Sequence, residues 1–312
     1  MSNNVKQRQT TSNHLIVIGG PTASGKTGVA IELARRFGAP IVSADSRQFY
    51  REMTIGTAKP TAAELAAAPH HFTGHLSVET PYSVGDYERA ALPLLERLFE
   101  KNEYVILTGG SGLFINAVTR GLDHFPEVPA AVKQQLRKEF TERGLQPLLL
   151  ELERNDPDYY ALVDRQNPAR VLRALEVIRA SGEPFSKFRT QQPKERPFRP
   201  IYLAMEHKRE VLYDRINRRV NLMLESGLVE EARALYPLRH LRSLQTVGYQ
   251  ELFAYFAGET DLATAVELIQ RNSRRYAKRQ MTWLRRDGFW TWFAPENLAA
   301  MERFIRKESV PV

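Results

Sequence analysis

Short apolar runs alternate with longer stretches of helical spacing along much of the chain. Leu15, Ile16, Val17 and Ile18 form the first run, and Ile41, Val42, Ser43 and Ala44 the second. Tyr104, Val105, Ile106 and Leu107 form the third, and residues 201–205, from Ile201 to Met205, the fourth. Runs this short and this apolar read as strands buried on both faces of a parallel sheet. Apolar residues at helical spacing follow the first run over 28–37, and a second helix is predicted from Ser83, a plausible N-cap, to about Lys101. The pattern predicts an α/β fold, a phosphate-loop-type parallel sheet core flanked by helices. Between about 121 and 200 the alternation lapses. Helices are predicted there over 129–144 and 167–179, the second with Pro168 in its first turn and Gly182 after its end. The expected organisation is a tail over 1–13, a core over 14–121 and 199–312, and a helical insertion over 122–198. A further helix begins near Tyr213, a basic helix spans 264–286, and residues 289–293 read as a last strand. Residues 54–88 are interrupted by Pro60, Pro69, Gly74, Pro81 and Gly85 and read as irregular.

The first strand runs into Gly20, Pro21, Thr22, Ala23, Ser24, Gly25, Lys26 and Thr27. This is the G-x-x-x-x-G-K-[ST] pattern between a strand and a helix. The glycines let successive N–H groups approach a phosphate without an intervening Cβ. Lys26 offers a point charge to phosphate oxygens, and the Thr27 hydroxyl can ligate Mg²⁺. The helix N-terminus behind the loop favours anions as well. The pattern carries the ATP-binding signature, yet it leaves open which phosphate compound binds.

Asp45 follows the second strand and so stands at the same sheet edge as the loop, where open parallel sheets bind ligands. A carboxylate there could hold Mg²⁺, act as a general base, or cap the next turn. Thr108 ends the third strand where a nucleotide hydrolase would carry an acid. Arg215 and Arg219, four apart, share a helix face, and their fork-shaped guanidiniums suit a diphosphate or a solvated surface equally. His70, His71 and His75 invite a metal reading, but Pro69 and Gly74 oppose a helix that would align them.

Composition narrows the classes. The 312 residues are 43% hydrophobic and 26% charged, as in an ordinary globular protein, and no apolar run approaches the roughly 20 residues that cross a bilayer. The polar start, without an apolar core, is not expected to act as a secretory signal. Zero cysteines exclude disulfides, thiolate metal sites and cysteine nucleophiles, and fit a cytoplasmic location. The formal charge of +8 is clustered: Arg271, Arg274, Arg275, Lys278 and Arg279 fall together, with Arg285 and Arg286 close behind. A polyanion larger than a nucleotide suits that cluster.

Taken together, residues 20–27, 45–50, 108–114, 167–176, 215–227, 245–250 and 274–285 resemble the bacterial tRNA dimethylallyltransferases, also called tRNA isopentenyltransferases. The resemblance implies transfer of a dimethylallyl group from dimethylallyl diphosphate to N6 of adenosine 37 in tRNAs reading codons that begin with U. It implies a monomer with Mg²⁺ as cofactor and the anticodon stem-loop of tRNA as partner. It implies diphosphate binding by Gly20, Thr22, Ala23, Ser24, Gly25, Lys26, Thr27, Arg215 and Arg219, with Asp45 as base and Lys26, Thr27 and Arg215 stabilising the leaving group. It also implies tRNA contacts by Asp45, Ser46, Arg47, Gln48 and Thr108, by Gln166, Asn167, Pro168, Ala169 and Arg170, and by Gln245, Thr246, Val247, Gly248, Tyr249 and Gln250. Phe49 and Phe114 depart from the family pattern, which often has an aliphatic residue and a tyrosine there. The absence of cysteine near the end of the chain differs from the zinc-finger form of eukaryotic relatives. Three rivals remain: a nucleotide kinase or ATPase, an enzyme that prenylates free adenine nucleotides, and an RNA-binding protein that keeps the loop without turnover.

Overall fold

A computed structural model describes residues 13–190 and 192–310. The tail expected over 1–13 lies outside the described residues except for Asn13. The chain divides into two compact units, one of residues 1–119 and 195–312, the other of residues 120–194.

In the first unit six strands form one parallel sheet: β1 (His14–Gly19), β2 (Ile41–Ser43), β3 (His70–His71), β4 (Tyr104–Gly109), β5 (Arg199–Met205) and β6 (Thr291–Phe293). Their order across the sheet is β3-β2-β4-β1-β5-β6. The four apolar runs supply β1, β2, β4 and β5. Leu15 and Val17 point into one apolar cluster and Ile16 and Ile18 into another, as strict alternation in a sheet covered on both faces requires. β3 is a correction to the irregular reading of 54–88, as is the helix Ala62–Ala67, held by a capping box between Thr61 and Glu64. Two residues at a sheet edge carry no periodicity that could announce them. The last strand is shorter than expected, and the helix Leu298–Ser309 follows it. Its Met301 and Ile305 pack on the cluster around Ile16. No described helix is long and apolar enough to cross a membrane.

The register places functional segments side by side. Ser43 on β2 pairs with Thr108 on β4, and Ile18 on β1 pairs with the same Thr108. The Ala44 N–H donates to the Thr108 carbonyl at 2.7 Å, extending that pairing to the residue before Asp45. Gly109 is required at this crossing: an ideal Cβ there would lie 2.4 Å from the Ala44 carbonyl oxygen.

The second unit is helical, with Ala130–Arg143, Gln146–Asn155, Pro157–Leu162, Pro168–Ser181 and Phe185–Phe188. Leu136, Leu148, Leu152, Val171, Leu175 and Ile178 build its core. Asn167 caps the helix Pro168–Ser181, and Gly182 ends it in the left-handed conformation, both as the sequence leads one to expect. Arg179 joins three helices of the unit by donating to Glu139 and Glu151 at 2.6–2.9 Å.

Gly109→Ala tests the crossing. It should destabilise the first unit by about 1–3 kcal/mol, read from the urea midpoint, because the clash is with backbone and cannot be relieved by a rotamer change. An unchanged midpoint would show that β2 and β4 are not held this closely.

Candidate functional site

The phosphate loop leaves β1 and enters the helix Lys26–Phe37. Gly25, just before that helix, has φ +88°, and Ala23 has φ 61°, a conformation uncommon for a residue with a Cβ. Gly20 is confined on its own account, since an added Cβ would sit 2.7 Å from Ser24 Oγ. Ser24 Oγ is buried without a hydrogen-bond partner, a polar atom left inside the loop.

The loop borders a cavity of about 440 Å³ at the carboxyl edge of the sheet. Thr22, Ala23, Lys26 and Thr27 line it from β1, residues 45–48 from β2, and Thr108 and Gly109 from β4. Arg219 reaches it from the helix Arg209–Glu225, and Tyr276, Arg279 and Gln280 from the helix Leu262–Arg286. Part of the wall is apolar, formed by Ile216, Val220, Met223, Leu228, Val247 and Ile269.

Electrostatics set the character of the polar end. Burial pushes the Lys26 ammonium down to about 8, with Asp45 opposing the shift and Arg219 adding to it. Lys26 Nζ meanwhile donates to the Pro21 carbonyl at 2.7 Å. Burial also lowers Arg219, against the pull of Asp45. Two cations crowd one carboxylate here, an arrangement that an anionic ligand would relieve.

Asp45 caps a turn and also faces the cavity. Its Oδ1 accepts from the Arg47 N–H at 3.0 Å, capping the turn, while its charge acts on Lys26, Arg219 and Tyr276 in the cavity. Burial, then Asp45, pushes the Tyr276 phenol up to about 12, so it remains a hydrogen-bond donor. Thr108 stands beside Asp45 with its Oγ1 3.4 Å from the Ile18 carbonyl.

The other expected residues take varied positions. Arg215 is exposed, is not among the cavity-lining residues, and its Nε donates to the Ala23 carbonyl at 2.8 Å. It holds the loop, whereas Arg219, one turn further along the same helix, lines the cavity. Gln48 Nε2 donates to the Thr57 and Ala58 carbonyls at 3.2 and 3.1 Å, so its amide braces the protein itself. Tyr249 is a correction, because its ring is fully buried and its hydroxyl donates to Glu231 at 2.6 Å. Gln245 and Gln250 are exposed and bonded to each other at 2.6 Å, and together with Thr246, Val247 and Gly248 they line the cavity. Gln166 to Arg170 lie in the second unit, at the N-terminal end of its capped helix, with Gln166, Ala169 and Arg170 exposed.

Gln280 was not anticipated. Its Oε1 accepts from the Thr22 N–H and its Nε2 donates to the Gly110 carbonyl, both at 2.9 Å. One side chain thus ties the phosphate loop to the turn after β4. The signal was an uncharged amide on the buried face of an otherwise basic helix. On that helix Arg271, Arg275, Lys278, Arg279 and Arg285 are exposed and make no ion pair with a described residue.

Comparison with known proteins follows the same lines. The model of the IPP transferase family matches residues 48–287. The tRNA dimethylallyltransferase of Christiangramia forsetii is 51% identical over 282 residues, covering 90% of this chain and 93% of its own length. The solved tRNA isopentenylpyrophosphate transferase of Bacillus halodurans is 36% identical, with a TM-score of 0.72 over 95% of this chain and 97% of its own. A eukaryotic dimethylallyltransferase acting on tRNA, 22% identical, shares the fold with a TM-score of 0.79 over 95% of this chain and 77% of its own.

The Lys26 shift has a measurable consequence. A neutral Lys26 must gain a proton to bind an anion, so affinity is full below its folded value and declines as pH rises through it. Metal-free binding of an alkyl diphosphate, followed by calorimetry, should weaken by up to about tenfold per pH unit above about 8, with proton uptake. Affinity independent of pH between about 7.5 and 9.5 would contradict this placement of Lys26.

Proposed function

The chain belongs to the tRNA dimethylallyltransferase family, and on that premise we propose how its cavity carries out the reaction. A dimethylallyl group passes from dimethylallyl diphosphate to N6 of adenosine 37 in tRNAs that read codons beginning with U. The observation that carries this reading is one cavity holding an anion cradle, a carboxylate and an apolar wall together. The diphosphate lies on the loop amides with Lys26 and Arg219 beside it, and the prenyl chain lies along Val220, Met223, Leu228, Val247 and Ile269. Arg215 and Gln280 keep the loop in shape through Ala23 and Thr22.

In the reaction the bond between the prenyl C1 and the diphosphate oxygen breaks as the C1–N6 bond forms. The electron pair leaves with the diphosphate, whose growing negative charge Lys26 and Arg219 stabilise. Asp45 takes the proton that N6 loses. Asp45 Oδ1 is held by the Arg47 N–H, which fixes the direction of the carboxylate. Thr108, one strand away, contacts the target base. An adenine stacked in the anticodon loop cannot reach that depth, so the base flips out, at a cost of a few kcal/mol.

The donors present suit Mg²⁺. Thr27 offers a hard hydroxyl oxygen at the cavity, which leaves the Asp45 carboxylate free as the base. No group of three or more His, Cys, Asp or Glu that could hold a metal occurs among the described residues. The remaining ligands would be phosphate oxygens and water, the usual company of Mg²⁺. When bound, the ion adds positive charge against the leaving diphosphate.

The RNA partner is the anticodon stem-loop. The exposed arginines and lysine of the helix Leu262–Arg286 suit phosphates, and Gln245, Gln250 and the cavity mouth suit unstacked bases. Gln166, Asn167, Pro168, Ala169 and Arg170 give the second unit its part in the same recognition. The reading carries with it a monomer acting in the cytoplasm.

Asp45→Asn separates chemistry from binding, because asparagine keeps the oxygen that accepts from Arg47 and loses the basic charge. Transfer should fall by about 10²–10⁴-fold while tRNA affinity stays within about twofold. A variant that transfers at the parental rate would remove Asp45 as the base.

A further inference from the structure

The apolar end of the cavity is bordered by an irregular loop. Gly56, Thr57 and Ala58 line the cavity, and the lining residues Val220, Met223, Leu228, Val247 and Ile269 belong to one apolar cluster that also packs Ile55 and Tyr249. A loop in that position sets how much room the apolar end offers.

One carboxylate holds the loop from behind. Glu231, in the helix Leu228–Leu235, accepts from three successive backbone N–H groups: Thr54 at 2.9 Å, Ile55 at 2.8 Å and Gly56 at 2.9 Å. The Tyr249 hydroxyl donates to the same carboxylate at 2.6 Å. Two carboxylate oxygens offer about four acceptor sites, so Glu231 is saturated. Burial and the neighbouring Glu231 charge raise the Tyr249 phenol, which therefore stays a donor. Gly56 closes the gap, since an ideal Cβ there would lie 2.6 Å from the Tyr249 ring. On its other flank the loop is braced by Gln48 at the Thr57 and Ala58 carbonyls. Ala58 is kept at φ 45°, which a residue with a Cβ adopts only when its surroundings hold it there.

We infer that Glu231 is the positioning residue that sets the length of prenyl chain the cavity accepts. The inference rests on the donor reading above. With the loop clamped, a five-carbon chain fills the apolar end. A longer chain requires the loop to retreat, which breaks charge-assisted hydrogen bonds to Glu231. Glu231 touches neither substrate and acts through residues 54–58. A strut that only stabilised the fold would affect every donor alike.

Glu231→Gln tests this, because it keeps the size of the side chain while setting an NH₂ group against backbone N–H donors. Tyr249→Phe removes one bond to the same carboxylate with little change in volume. For each, kcat/KM is measured with dimethylallyl and geranyl diphosphates on the same unmodified tRNA. The preference of the parental enzyme for the shorter chain should fall about tenfold in Glu231→Gln, mainly through KM for the donor. Tyr249→Phe should move the preference the same way by a smaller factor, and it decides alone if Glu231→Gln does not fold. Equal losses with both donors, or an unmoved preference in folded variants, overturn the inference. A parental enzyme that transfers neither chain overturns the donor reading instead, a result distinct from an active enzyme whose preference stays fixed.

Discussion

Parallel pairing of β1, β4 and β2 is the constraint on which the site depends. Parallel strands all end at the same edge, so the segments that follow them must emerge together however far apart they lie in sequence. Residues 18, 43 and 108 are brought into one register, and the phosphate loop, Asp45 and the turn after Thr108 follow directly from it. The missing side chain at Gly109 lets Ala44 come close enough to continue that register. Most cross-braces of the site, Gln280 among them, bind these three exits to one another or to the helices behind them.

The resulting cavity is electrostatically incomplete. Lys26 and Arg219 are both held in burial that disfavours their charge, with one carboxylate nearby. A diphosphate would restore the balance and leave Asp45 beside the reacting centre with its turn already formed. The apolar wall, with Val220, Met223, Leu228, Val247 and Ile269, borders the same cavity. Cations, carboxylate and hydrocarbon surface thus come from separate elements that the sheet edge collects.

The parts of this arrangement legible in sequence are those carried by local pattern. The apolar runs announced the four inner strands, and the eight-residue loop announced its own chemistry because glycine, lysine and threonine stand at fixed local offsets. Asp45 was legible only as an alternative among metal ligand, base and cap; its geometry shows the cap, on a carboxylate that also lines the cavity. β3 escaped notice because two edge residues have no period. Gln48 and Tyr249 entered as RNA contacts through the family resemblance, and the hydrogen bonds of their side chains within the protein had no local signal. Their partners, Thr57, Ala58 and Glu231, lie where only tertiary packing could place them. Gln280 and Glu231 were illegible for the same reason, since their hydrogen bonds join positions 170 to 258 and 175 to 177 residues apart.

The central claim is that this cavity joins a prenyl diphosphate to a base delivered by a folded RNA. The most direct measurement incubates the protein with Mg²⁺, labelled dimethylallyl diphosphate and unmodified tRNA, with AMP as the competing acceptor, and reads the products by nucleoside mass spectrometry. The account predicts label on N6 of adenosine 37 and none on AMP. Label on AMP with none on tRNA, or on neither acceptor, would contradict it.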